Sequence, residues 1–211
     1  MKKTLLKSLQ VLVILSLFFA VGCKKEKDEK QKDVGVEING VIWATRNVDK
    51  PGTFVAKPEN AGMLYQWNRK VGWSSTEPLV NHEGGSTWNP DTPTGDSWEK
   101  TNDPCPSGWR VPTLEEQQSL VAANKEWTTL NGVTGRYFGS DKNLVFFPAV
   151  GYCGGDDGLL YNVGDYGLYW SSTPSQGNST FAYGMNFHSE NTYSGNNYRR
   201  SGFSVRCVKE Q

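Results

Sequence analysis

The stretch DPCPSGWRVPTLEEQQSLVAANK, from Asp103 to Lys125, decides how the rest of the chain reads. It holds the clearest helix start in the sequence. Thr113 and Glu116 stand at capping-box spacing, where each side chain satisfies an otherwise orphaned backbone N–H at the helix entrance. Leu114, Leu120 and Val121 then mark an inward stripe. Glu115 and Glu116 look like paired carboxylates for acid–base chemistry, yet their place in the first turn makes capping and dipole complementarity a sufficient cause. Trp109 and Arg110 read as scaffold: a ring for the core and a guanidinium for a buried carboxylate or loop carbonyls.

Outward from this helix the chain alternates turn signals with short apolar runs. INGVIWA contains Asn39-Gly40, the favoured two-residue hairpin turn, flanked by Ile38 and by Val41, Ile42 and Trp43. AGMLYQWNR (Ala61–Arg69) is an apolar segment. Ser74 to Gly108 is mostly turn formers, and so long a loop needs its own Trp88 and Trp98 to order it, or a function. On the C-terminal side, NLVFFPAVGYC (from Asn143) reads as a buried strand broken at Pro148, and LYWSS (Leu168–Ser172) as another. In FAYGMNFH the large residues Phe181, Tyr183, Met185 and Phe187 alternate with smaller ones, the period of a half-buried strand. GFSVRCV repeats the pattern with Phe203, Val205 and Cys207. These two segments are expected to be the strands of one hairpin, flanking a polar excursion from Ser189 to Gly202.

The N-terminus carries an address. Lys2, Lys3 and Lys7 precede an apolar run from Leu9 to Phe19, too short and wrongly flanked for an ordinary membrane span. Ala20-Val21-Gly22-Cys23 resembles a bacterial lipobox, with Ala20 where Leu is usual. Residues 1–23 are therefore expected to be a lipoprotein signal, with Cys23 as the lipidated residue that anchors the chain to a membrane. Residues 24–33, KKEKDEKQKD, are charged throughout and expected to be a solvated tether. They resemble the lysine-plus-acidic stretches of surface-exported lipoproteins in the Bacteroidetes; a mere spacer is the other reading. The expected location is the bacterial cell envelope, at the outer membrane and surface-exposed. Without the three signal lysines, 19 basic face 22 acidic side chains. No clustered basic surface suggests nucleic acid. Residues 34–211 suit a single domain, and all eight Trp lie within it.

In order along this domain, INGVIWATRNV, AGMLYQW, DPCPSGWRVPTLEE, FFPAVGY, GLLYNVGDYGLYWSS and GFSVRCV resemble the Fibrobacter succinogenes major paralogous domain. That domain is similar to the C-type-lectin-like group, which includes the formylglycine-generating-enzyme fold. The resemblance implies an α+β fold: twisted antiparallel strands, one or two helices, long loops, and terminal strands brought together. It does not imply sugar binding. It also implies a disulfide between Cys105 and Cys207, stapling the helix entrance to the last strand. An envelope location permits such a bond, and three cysteines beyond Cys23 leave Cys153 over, expected as a buried inert thiol.

Catalysis finds little support. An oxidase of the formylglycine-generating kind needs a copper-binding cysteine pair, and Cys207 is better explained structurally. His82 and His188 are the only histidines, each read as a solvated or locally bonded side chain. Asp156, Asp157 and Asp165 lack EF-hand spacing, and Asx turns account for them without a metal. Trp67-Asn68 is followed by Arg69, so the sugar-lectin calcium motif is absent. The expectation is a non-enzymatic domain with no cofactor or metal.

The polar excursion has the composition of a binding loop, in which Tyr supplies rigid amphipathic area and Ser, Gly and Asn adaptable hydrogen bonds. The expected ligand face comprises Tyr183, Asn186, His188, Asn191, Tyr193, Asn196, Asn197, Tyr198 and Arg199, with a glycan or a protein surface as ligand. Two alternatives stand beside it. One is a structural or adhesive subunit of a surface appendage. The other is a diversified surface receptor, because this region also resembles the variable loops of diversity-generating retroelement targets.

Overall fold

A computed structural model describes residues 32–210. The signal and lipidation residue Cys23, and most of the charged tether, lie outside the described residues. The elements are β1 (Val36–Ile38), β2 (Val41–Trp43), β3 (Leu64–Gln66), β4 (Gly72–Trp73), β5 (Trp109–Arg110), α1 (Leu114–Ala122), β6 (Asn124–Leu130), β7 (Val133–Ser140), β8 (Asn143–Pro148), β9 (Tyr152–Cys153), β10 (Leu160–Tyr161), β11 (Gly167–Pro174), β12 (Phe181–Phe187), β13 (Thr192–Tyr198), β14 (Gly202–Ser204) and β15 (Val208–Lys209). Among the described residues one α-helix sits among mostly antiparallel strands, the α+β lectin-like arrangement.

The strands form three sheets. The first, in the order β1-β2-β15-β5, joins the two ends of the domain through Val208 opposite Trp43. The second runs β10-β9-β14-β11-β12-β13, with β3 and β4 attached through β14. The third is the meander β6-β7-β8. Asn39 and Gly40 both have positive φ, as the two-residue turn between β1 and β2 requires. Asn131-Gly132 makes the same turn between β6 and β7, a hairpin that the same dipeptide signal marks.

Aromatic rings fill the two large cores. One contains Trp67, Trp98, Trp109, Trp170 and Phe203; the other packs Leu120 of α1 against Phe138, Phe147, Tyr169, Met185 and Phe187. Between them lies Arg206, buried and, among the described residues, in no ion pair with a carboxylate. Its guanidinium donates to Asn47 Oδ1 and to the carbonyls of Ala44 and Phe146, and rests on the Phe147 ring at 4.2 Å. Burial pulls its pKa down to about 10, still far above neutrality, so the group stays charged and draws three segments together. The long loop is ordered by its own indoles. Trp88 packs on Trp73 and donates to the Gly155 carbonyl; Trp98 packs on Trp67 and donates to that of Asn102.

Two expectations need correction. First, the strand partners differ: β12 pairs with β13, residue for residue from Phe181–Tyr198 to Phe187–Thr192, and β14 lies on the far side of β11. The polar excursion is thus largely a strand. Its polar side chains disguise the period of two, because an edge strand exposed on its flank needs no apolar row. Second, Asp33 is not tether. Its carboxylate accepts from the N–H groups of Gly35 and Thr45 and from the Thr45 hydroxyl, and pairs with Arg46 at 3.3 Å. Charge alone made it look solvated; four donors hold it in the domain.

Candidate functional site

The scaffold around the candidate site is built as its residue types suggest. Cys105 and Cys207 are bonded, with Cα atoms 6.0 Å apart. Thr113 and Glu116 form the reciprocal capping box, and Glu116 also takes two hydrogen bonds from Arg110 at 2.6 and 2.8 Å. Burial alone would raise the Glu116 pKa. The Arg110 bonds and the Thr113 N–H outweigh it, so the carboxyl ends below its ordinary value. Trp109 is buried in the first core. Gln117, which the helix pattern did not single out, is buried and donates to the carbonyls of Tyr169 and Trp170, tying α1 to β11.

Against this scaffold the β12–β13 hairpin presents a groove of about 370 Å³. Its walls are Tyr152, Tyr166, Tyr193 and Tyr198 with Phe181 and Phe203; its polar groups are Asn162, Asn186, Asn196, Asn197 and Ser201. None of these lining residues carries a charge. Phe203 is held flat against Trp170, ring centres 4.2 Å apart, and edge-on to Tyr152, so this wall is rigid. Gly184 faces Gly195 across the hairpin. A Cβ on Gly184 would come 2.9 Å from the Tyr169 carbonyl, so only glycine lets the strands close beside the groove. Asn186 is 5% exposed, and its Oδ1 is buried without a hydrogen-bond partner among protein atoms. Such an orphan costs about 1–3 kcal/mol and calls for a partner, such as a water or a ligand, that the protein itself does not supply.

The expected ligand residues divide. Tyr193, Asn186, Asn196, Asn197 and Tyr198 line the groove, and Tyr193 and Tyr198 are 44% and 49% exposed. Tyr183, opposite Asn196, does not line it. His188 lies just beyond, its ring 5.1 Å from that of Tyr166. Asn191 sits in the hairpin turn, where its Oδ1 accepts from the Thr192 N–H. Arg199 is a correction. It is 3% exposed, donates to the carbonyls of Phe181 and Gly95, and lies over the Trp67 ring. Its neighbours in sequence are polar, and Tyr198 is exposed, but the turn into β14 swings it inward, where it is scaffold.

Tyr152, Asn162, Tyr166 and Phe203 enter the groove from other segments. Folding alone brings them together. A larger depression of about 780 Å³ lies between residues 92–96 and 174–180. No aromatic ring lines it, and its buried cation, Arg199, is already engaged, so the groove is the better-equipped site. Among the described residues, no three His, Cys, Asp or Glu side chains are placed to hold a metal ion. Asp157 accepts from Tyr161 and the Leu159 N–H, and Asp156 pairs with Arg200. Cys153 is buried, and burial pushes its thiol up to about 12. His82 Nδ1 accepts from the Gly72 N–H.

A family model described as the Lcl C-terminal domain matches residues 39–209. No curated protein matches the chain. No solved structure matches it either.

Proposed function

We propose, because the chain belongs to the Lcl C-terminal domain family, that it is a non-enzymatic, lipid-anchored protein of the cell envelope whose lectin-like domain binds a glycan or protein ligand in the β12–β13 groove. One observation carries the binding assignment: a neutral groove walled by tyrosines and amides, with the orphaned Asn186 carbonyl among its lining residues. Rings stack on sugar faces or cover protein side chains, and amides supply paired donors and acceptors. The anchor rests on the signal-like N-terminus ending at Cys23. The six motifs from Ile38 to Val208 support a place near the Fibrobacter succinogenes major paralogous domain within this family.

The test is a glycan array beside pull-downs from envelope extracts, run with the wild type and with Tyr193→Ala. Binding that the substitution abolishes supports the assignment. Binding that survives it places the ligand elsewhere. A second reading, a subunit of a surface appendage, is favoured by the outer edge of β13, unpaired among the described residues; a blank array with recovery of one fixed subunit would select it.

A further inference from the structure

The outer edge of β13 differs from the other sheet edges among the described residues. β10 is two residues long. β6 carries Lys125 and Glu126 and a register shift. β1 is three residues long with Glu37 at its centre, and β8 ends at Pro148. Charge, proline, shortness and bulges are the devices that stop strand edges from pairing. β13, TYSGNNY, is seven residues long with no charge, no proline and an unbroken register.

The phase of its free backbone groups follows from two bonds. His188 N–H donates to the Asn191 carbonyl, and Arg199 N–H to that of Thr180. Both pairs continue the β12–β13 register. Hydrogen-bonded and non-bonded pairs alternate in an antiparallel ladder. The bonded residues of β13 are therefore 193, 195 and 197, and Thr192, Ser194, Asn196 and Tyr198 direct their backbone groups outward. Thr192 N–H is taken by Asn191 and the Tyr198 carbonyl by Ser201 N–H. Among the described residues, Ser194 and Asn196 keep both groups free.

We infer that β13 pairs antiparallel with β13 of a second copy about a two-fold axis at Gly195. In that register Ser194 meets Asn196 of the second copy and Asn196 meets its Ser194, so the four free groups on each strand satisfy one another. Gly195 meets Gly195 as a non-bonded pair, where Cα atoms approach to about 4.5 Å and a glycine pair removes side-chain conflict at the axis. A two-fold places identical strands together, so any charge near the axis would lie close to its own copy; β13 has none. This uncharged self-match argues for a second copy over an unrelated strand.

The experiment uses the full chain in cells, under mild oxidation, read on a non-reducing gel. Gly195→Cys is expected to give a covalent dimer, since a disulfide spans Cα separations of about 4.4–6.8 Å. Tyr193→Cys, which would face Asn197 of the second copy, is expected to stay monomeric. Adding Asn196→Pro to Gly195→Cys removes an outward N–H while sparing the bonds to β12, and should abolish the dimer band. Asn196→Lys, at an exposed position, should weaken the band without touching the backbone. A monomeric Gly195→Cys, equal cross-linking at Tyr193→Cys, or a dimer indifferent to both changes at Asn196 overturns the inference. So does a cross-linked adduct of a mass other than two copies, which would assign the edge to a strand of another protein.

Discussion

The guanidinium of Arg199 lies 4.1 Å from the centre of the Trp67 ring while donating to the carbonyls of Phe181 and Gly95. This contact fastens the end of the β12–β13 hairpin to the aromatic core. Arg199→Ala takes a partner from the Gly95 carbonyl and from the ring face, and leaves the Phe181 carbonyl only the Ser175 N–H. It should cost about 3 kcal/mol of stability, measured by chemical denaturation. Arg199→Lys should recover less than half, because an ammonium cannot fork to two carbonyls while lying flat on an indole.

The groove should behave in the opposite way. Tyr193 is an exposed edge residue, so Tyr193→Ala should change stability by no more than about 0.5 kcal/mol. The same change should weaken ligand binding by roughly tenfold or more. Paired unfolding and binding curves separate the two effects.

The Cys105–Cys207 bond closes a separation of 102 residues. In the chain-entropy account, reducing it should lower stability by about 4–5 kcal/mol. Cys153 should resist alkylation in the native protein, because its buried thiol is held to about 12. Among the described residues one thiol, that of Cys153, should become reactive on unfolding without reductant, which a mass shift records.

Glu116 sets a pH dependence. Its folded pKa lies below the unfolded value, despite burial, through Arg110 and Thr113. The stability it contributes is therefore full above the unfolded carboxylate value, about 4.3, and is lost as pH falls through the folded value. Glu116→Gln should destabilise at pH 7 by about 1–2 kcal/mol, and the gap from wild type should narrow by pH 3. Denaturation midpoints at the two pH values check this.

Local signals made much of the fold legible. Asn39-Gly40, the Thr113–Glu116 box and the runs at Asn143 and Leu168 each carry their cause within a few residues. The same reasoning would have found Asn131-Gly132. What stayed hidden depends on distant partners. β13 has no apolar alternation, and its strand form comes from pairing with β12; Arg199 looks solvent-facing until Trp67 is placed beneath it. Half the groove was visible in the Asn- and Tyr-rich stretch, while Tyr152, Tyr166 and Phe203 join it only through the sheet order.

The groove assignment is tested most directly by a structure-neutral change among its lining residues: Asn186→Leu together with Tyr193→Ala, titrated against whatever ligand the array or pull-down identifies. Loss of binding with a native unfolding midpoint is the expected result. Wild-type affinity in that folded double variant would contradict the account.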